Sequence, residues 1–178
     1  DINVNQSITL ANSSSSNILY STHSLVMSST TGSINILASI STQRISGSTG
    51  NAIWSSYGSS SGNITLSAPM GTIYASVAGT LNASGTVNTS NSGGGWDGAA
   101  GVISLSSMGY RILSTITATS RVNAAQWGNI SITNTGTSVT SGGGVNDGIS
   151  GVITGRNFTK AGVGSLRVSG NNGWNGTT

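Results

Sequence analysis

Asp1, Asp97 and Asp147 are the only carboxylate side chains in the 178 residues, and glutamate is absent. Acid–base chemistry on a glycosidic bond uses two carboxylates held on either side of it. Asp97 and Asp147 each stand beside glycine, where aspartate is favoured because it tolerates turn geometry, so both read as turn residues. His23 is the single histidine and there is no cysteine, which leaves no His- or Cys-based zinc set and no CxxC redox pair. The glycine-rich stretches lack the Lys-Ser/Thr ending of a phosphate-binding loop. The residue types therefore predict a chain without catalytic, metal or cofactor sites, and not an enzyme. A carbohydrate-active enzyme is the least favoured reading.

Binding chemistry is better represented. Trp54, Trp96, Trp127 and Trp174 sit among small polar residues rather than inside apolar runs. An indole in such a setting can stack on a glycan or anchor a subunit contact, because it supplies large area at low entropy cost. Trp96 is the favoured member, since it lies in the glycine stretch Ser92-Gly93-Gly94-Gly95-Trp96-Asp97-Gly98. Thr115-Ile116-Thr117-Ala118-Thr119 has the alternation of an ice-binding rung. The strands set against it by the sequence repeat carry Gln6, Asn35 and Tyr74, so a continuous threonine face is not expected. Arg44, Arg111, Arg121, Arg156, Lys160 and Arg167 are scattered rather than clustered, which argues against a nucleic-acid partner.

Positioning these residues falls to short β elements. Charged residues make up 5% of the chain, against roughly 25% in ordinary soluble domains, and Ser, Thr, Asn and Gly take their place. Such a composition suggests disorder. Against that, Ile, Val and Thr recur throughout and Pro69 is the sole proline, which reads as strands joined by tight turns.

The chain repeats itself. A pattern of apolar-x-x-(Ser/Thr)-apolar begins at Val4, Ile36, Ile73 and Ile112, in steps of 32, 37 and 39 residues, and its second apolar members are Ile8, Ile40, Val77 and Ile116. A second element places apolar residues at Leu25 and Met27, Ile64 and Leu66, Ile103 and Leu105, and Ile130 and Ile132, with polar or outward residues between. Leu166 and Val168 extend the same alternation. Period-two alternation is that of strands with one buried face. The glycine runs at 93–95 and 142–144 precede Gly101-Val102-Ile103 and Gly151-Val152-Ile153, and read as equivalent loops.

Strands this short bury their apolar face only by stacking on further copies. The expected fold is all-β: one right-handed parallel β-helix over residues 1–178. The period near 38 is read as two coils of about 19, giving roughly nine coils and a rod of some 40 Å at about 4.8 Å per coil. A β-sandwich is the alternative. No apolar run reaches the ~18 residues of a membrane span, and the start at Asp1 suggests a mature form or an excised piece.

The strand pairs Ile64-Thr65-Leu66-Ser67-Ala68 and Gly71-Thr72-Ile73-Tyr74-Ala75-Ser76 resemble the repeats of filamentous-haemagglutinin-type exoproteins, and residues 81–90 are similar to their coil connections. The run Thr159-Lys160-Ala161-Gly162-Val163-Gly164-Ser165-Leu166-Arg167-Val168-Ser169-Gly170-Asn171-Asn172 resembles the passenger-associated repeat of autotransporters. The resemblance implies a β-helix outside the cell or at the bacterial surface, acting as a filament or adhesin scaffold, and a segment or protomer of a longer fibre. Its expected partners are further copies of itself, through open helix ends or strand exchange, and host or environmental glycans. A glycan- or ice-binding module is the alternative function.

Overall fold

The computed structural model describes residues 1–10, 23–43, 61–85, 98–120, 126–136 and 148–174. Among these it is all-β, with fourteen strands. One sheet of eight strands contains β1 (Ile2–Val4), β3 (Leu25–Ser28), β4 (Ile34–Ile36), β6 (Ile64–Ala75), β8 (Ile103–Ile112), β10 (Ile130–Asn134), β11 (Gly148–Ile149) and β13 (Phe158–Ala161). A six-stranded sheet runs in the spatial order β14 (Gly173–Trp174), β12 (Ile153–Gly155), β9 (Ile116–Thr117), β7 (Leu81–Asn82), β5 (Ile40–Ser41) and β2 (Ile8–Thr9). Every strand pairing among the described residues is parallel. A sandwich of antiparallel hairpins is thereby set aside; the fold is one of parallel strands in stacked sheets, compatible with a β-helix or solenoid.

β6 and β8 are long because each carries two pairing segments. Residues 64–68 register with 103–107 and residues 72–75 with 109–112, with a shift between them. The first segment also receives β3 (Leu25↔Ile64) and, across β8, β10 (Ile103↔Ile130). The second receives β4 (Ile34↔Ile73) and β11 (Ile112↔Ile149). Alternation does the rest: inward residues are buried and outward ones are not, as the pattern of β8 over its first five residues illustrates. Inward side chains of both sheets merge into a single hydrophobic cluster.

Val4, Ile36, Ile40, Ile64, Leu66, Ile73, Ile103, Leu105, Ile112, Ile116, Ile130 and Ile132 all lie in that cluster, and Ile8, Leu166 and Val168 pack against it half-buried. Val77 does not belong to it and is 74% exposed. The cause is register. Ile73 stacks on Ile34, so Ala75 rather than Ile73 occupies the place of Ile36, and Leu81 takes that of Ile40. The corner between Ala75 and Leu81 is two residues longer than its counterparts, and Val77 sits on its outside in a turn.

The repeat length also needs correction. Hydrogen-bonded neighbours in adjacent rungs lie 39 residues apart for Ser24 and Asn63, and again 39 for Asn63 and Val102. The separation falls to 28 for Asn129 and Asn157. It falls further to 19 at the last strands, as for Ile153 and Asn172. A repeat near 38 is thus one rung, not two, and six stacked strands at about 4.8 Å spacing reach about 24 Å rather than 40 Å.

Most of the extra length enters at one corner, between a six-stranded-sheet strand and the next eight-stranded-sheet strand. From β5 to β6 that connection includes residues 44–60, and from β7 to β8 residues 86–97, whereas Arg156-Asn157 alone join β12 to β13. The described residues on either side of these connections meet. Thr42 Oγ1 lies 3.0 Å from Ser61 Oγ and donates to Gly62 O at 2.7 Å. The Gly101 amide donates to Ala83 O at 2.8 Å, and that of Gly128 to Ala118 O at 2.9 Å. Gly62, Gly101 and Gly128 form a column here because the backbones stack closely: a Cβ on Gly101 would fall 2.0 Å from Gly62 O, and one on Gly128 1.8 Å from Gly101 O. The two glycine-rich stretches are not equivalent. Residues 92–98 precede Ile103 of the eight-stranded sheet, while the partner of Ile153 is Ile116 in the six-stranded sheet.

Candidate functional site

The outer face of the six-stranded sheet is where polar side chains converge. Along β7 and β9 the inward positions Leu81, Ala83, Ile116 and Ala118 are fully buried, which turns Asn82, Thr115, Thr117 and Thr119 outward. These outward residues form the floor of an open groove of about 640 Å³. Gln43 lies at one edge, from the chain following β5, and Trp127 with Ser120 forms the other. No charged side chain lines the groove among the described residues.

Several of these groups are fixed by their neighbours. Asn82 Nδ2 donates to Gln43 Oε1 at 3.0 Å, Asn82 Oδ1 accepts from the Ser84 amide at 2.9 Å, and Ser84 Oγ meets Thr119 Oγ1 at 3.2 Å. Thr80 Oγ1 donates to Ser39 Oγ at 2.8 Å. The Trp127 indole N–H donates to Ser120 O, which commits its polar handle and holds the ring in the wall. By contrast, no group among the described residues engages the hydroxyls of Thr115 and Thr117. The groove thus combines a rigid amide–hydroxyl frame, a half-buried indole and two unengaged hydroxyls.

Of the other tryptophans, Trp174 spends its face on Phe158, with ring centroids 5.2 Å apart and planes at 21°. It packs at the last rung. Trp54 and Trp96 lie outside the described residues, as do Asp97, Asp147, Arg44 and Arg121. His23 is exposed, and no group of His, Asp or Glu able to hold a metal occurs among the described residues. Arg111 stacks over Tyr74 with 5.6 Å between guanidinium carbon and ring centroid, which uses one cation of the eight-stranded sheet locally.

The strand partners of residues 115–119 differ from those the sequence repeat predicts. Asn35 and Tyr74 register with Arg111 in the eight-stranded sheet. Thr117 instead stacks between Asn82 and Thr154, and beyond Asn82 come Ser41 and Thr9. The amide of Asn82 interrupts what is otherwise a hydroxyl column. A regular hydroxyl patch does exist, on the other sheet, where Thr65, Ser104 and Ser131 stack in one column and Ser67, Ser106 and Thr133 in the next. The sequence does not advertise it, because serine and threonine alternate there without a fixed motif. Nor does it point to Asn82 and Gln43 as a pair, since 39 residues separate them.

Comparison with known proteins adds no constraint: no family model matches the chain, and neither a curated protein nor a solved structure is found to be similar to it.

Proposed function

We propose that the chain is a right-handed parallel β-helix of an exported bacterial surface protein, serving as a structural filament or adhesin scaffold outside the cell. The observation that carries this reading is the set of aliphatic columns running through register-matched parallel strands, such as Leu66–Leu105–Ile132 and Ile40–Leu81–Ile116. Parallel strands joined through a second sheet are right-handed crossovers in nearly all folds, which supports the hand. A stack of this kind is extended by addition of like rungs, since each rung presents the same row of N–H and C=O groups.

Self-association through the outermost strands follows from the same physics. β2 and β14 are the outer strands of the six-stranded sheet among the described residues. Ile2, Ile8, Leu25 and Met27 at one end are half-buried, and a neighbouring rung would cover them. The low charge of the surface leaves few like-charge contacts to oppose docking. The resemblance to exoprotein and autotransporter repeats supports the same assignment.

Electron microscopy of the purified chain at micromolar concentration tests it. Rods many times longer than the ~24 Å of one stack are the expected result. Uniform single particles at all concentrations would overturn self-association.

A further inference from the structure

We propose that the groove on the outer face of the six-stranded sheet is a binding subsite for a short neutral oligosaccharide, with Trp127 as the stacking wall and Thr115 and Thr117 as the hydrogen-bonding floor. This reading stands on the groove alone and does not depend on self-association.

Size is the first argument. A volume of about 640 Å³ falls within the range of roughly 300–1,000 Å³ typical of small-ligand sites. The floor runs across the rungs of β5, β7 and β9, so its length is roughly 10 Å at about 4.8 Å per rung, which suits two or three sugar rings laid across the strands.

Chemistry narrows the ligand. Sugars offer hydroxyls that both donate and accept, together with C–H faces that pack on aromatic rings. Thr115 and Thr117 carry hydroxyls of the same dual capacity, unengaged among the described residues and set on adjacent outward positions of one rung. Asn82, Gln43 and Ser84 have already satisfied much of their capacity with one another, so they shape the floor without needing to rearrange when a ligand arrives. That pre-organisation lowers the cost of binding. The Trp127 N–H is committed to Ser120 O, which leaves the indole as an apolar surface with fixed orientation. The lack of charge in the lining gives an anionic polysaccharide nothing to pair with. A flat ice surface is disfavoured by the break in the hydroxyl column at Asn82.

The rung geometry adds a second reason for the place. Gln43, Gly85 and Ser120 are the last described residues before the excursions at 44–60, 86–97 and 121–125. The groove therefore lies beside the corner that carries the variable-length connections, while its own floor is built on the regular strands. Sites on regular elements hold their geometry better than sites on loops.

Titration calorimetry of the full chain against neutral oligosaccharides (cello-, xylo-, malto- and galacto-series) and against anionic ones (oligogalacturonate, heparin fragments) tests the assignment. The expected result is binding of at least one neutral series at a dissociation constant of micromolar to millimolar size. Trp127→Ala is expected to weaken that binding at least about tenfold, since aromatic anchors dominate such sites. Thr117→Val, which keeps the shape and removes the hydroxyl, should weaken it about fivefold. Trp174→Ala, remote at the last rung, should leave it unchanged. Unchanged far-UV spectra and urea midpoints show that the variants remain folded. Should Trp127→Ala disturb the fold, Thr117→Val and quenching of tryptophan fluorescence by ligand carry the test. Binding only to anionic glycans, binding that survives both groove variants, or no binding to any neutral series would overturn the proposal.

Discussion

The middle rungs and the last ones are built from the same alternation, yet they differ in almost every measurable way. In the middle, Leu66, Leu105 and Ile132 stack as one fully covered column. One rung further on, the partner of Ile132 is Lys160, which is exposed and donates from Nζ to Gly162 O at 2.6 Å. The step is 39 residues from Leu66 to Leu105, 27 from Leu105 to Ile132, 28 from Ile132 to Lys160, and 19 from Thr154 to Gly173 in the six-stranded sheet. The difference separates what a rung requires from what it tolerates. A step of 19 residues is enough to bring a strand back beside its partner, and where the step is longer the described residues on either side of the connection still meet, as Thr42 does with Gly62 and Ala83 with Gly101. Along this column burial is complete where strands lie on both sides, and the length of the step does not decide it.

The sharpest way to break this contrast is to cut the same column in its middle and at its end. Leu66→Ala is expected to cost about 2–5 kcal/mol, read as a fall in the urea midpoint, because the cavity is closed above and below by Met27 and Leu105. Lys160→Ala, the same column at the last rung, should change stability by less than about 0.5 kcal/mol. Equal losses at the two positions would mean that the column does not thin out toward the end.

Backbone crowding gives the next contrast. Gly101→Ala places a methyl group against Gly62 O of the neighbouring rung and should cost about 1–3 kcal/mol as strain. Gly173 in the last rung has nothing within 4 Å of an added Cβ, so Gly173→Ala should be near neutral. Gly162 is different again: its φ of +80° and the nearby Asn134 carbonyl, 2.1 Å from an added Cβ, make it intolerant for conformational reasons although it is exposed.

Tyr110 marks the change between the two regimes. It continues the Ile2–Ile34–Ile73 column, and its hydroxyl donates to Thr133 O at 2.7 Å. Burial pushes the phenol up to about 12, with hydrogen bonds from Ser107 partly offsetting. The fold thus favours neutral tyrosine, and that contribution is complete below the ordinary value of 10.0 and is lost as pH rises through about 12. Tyr110→Phe should cost about 1 kcal/mol at pH 8 for the lost hydrogen bond and should flatten the decline between pH 10 and 12. A decline identical to that of the parent chain would remove Tyr110 from the account.

Much of the fold is legible in the alternation, because period two and a recurring Ile or Leu leave few other ways to bury the apolar residues. The length of the rung is not. A connection of 22 residues between β5 and β6 and one of two between β12 and β13 look alike to a repeat search once their flanking strands match, and a 38-residue repeat then divides as readily into two short coils as into one long rung. The Ile73 register misleads because Ala75 fills an inward position that only a larger side chain would have advertised. The groove is the least legible part. Gln43, Asn82 and Thr117 come from three rungs and share no motif, and only strand pairing brings them together. Of its residues the tryptophan alone stands out in the sequence, because an indole among small polar residues has no strand core to enter.

The length of the connection at the corner bears most directly on why rungs differ in length. If residues 44–60 are an insertion at a pinned corner, replacing them by a two-residue link like Arg156-Asn157 should leave the stack intact. Thr42 and Ser61 are already within hydrogen-bond distance, so the link spans a gap the fold has closed. Loop-closure entropy varies only by about 0.6 kcal/mol for each doubling of length, so shortening the loop about eightfold should stabilise the chain by roughly 2 kcal/mol at most, and by less where short links are stiff. The far-UV spectrum should remain that of parallel β structure, and the urea midpoint should stay or rise. A fall in the midpoint of the size expected for Leu66→Ala would show that residues 44–60 contribute buried surface to the rung, and the 39-residue step would then be a structural requirement of the middle of the stack instead of an accommodation at its corner.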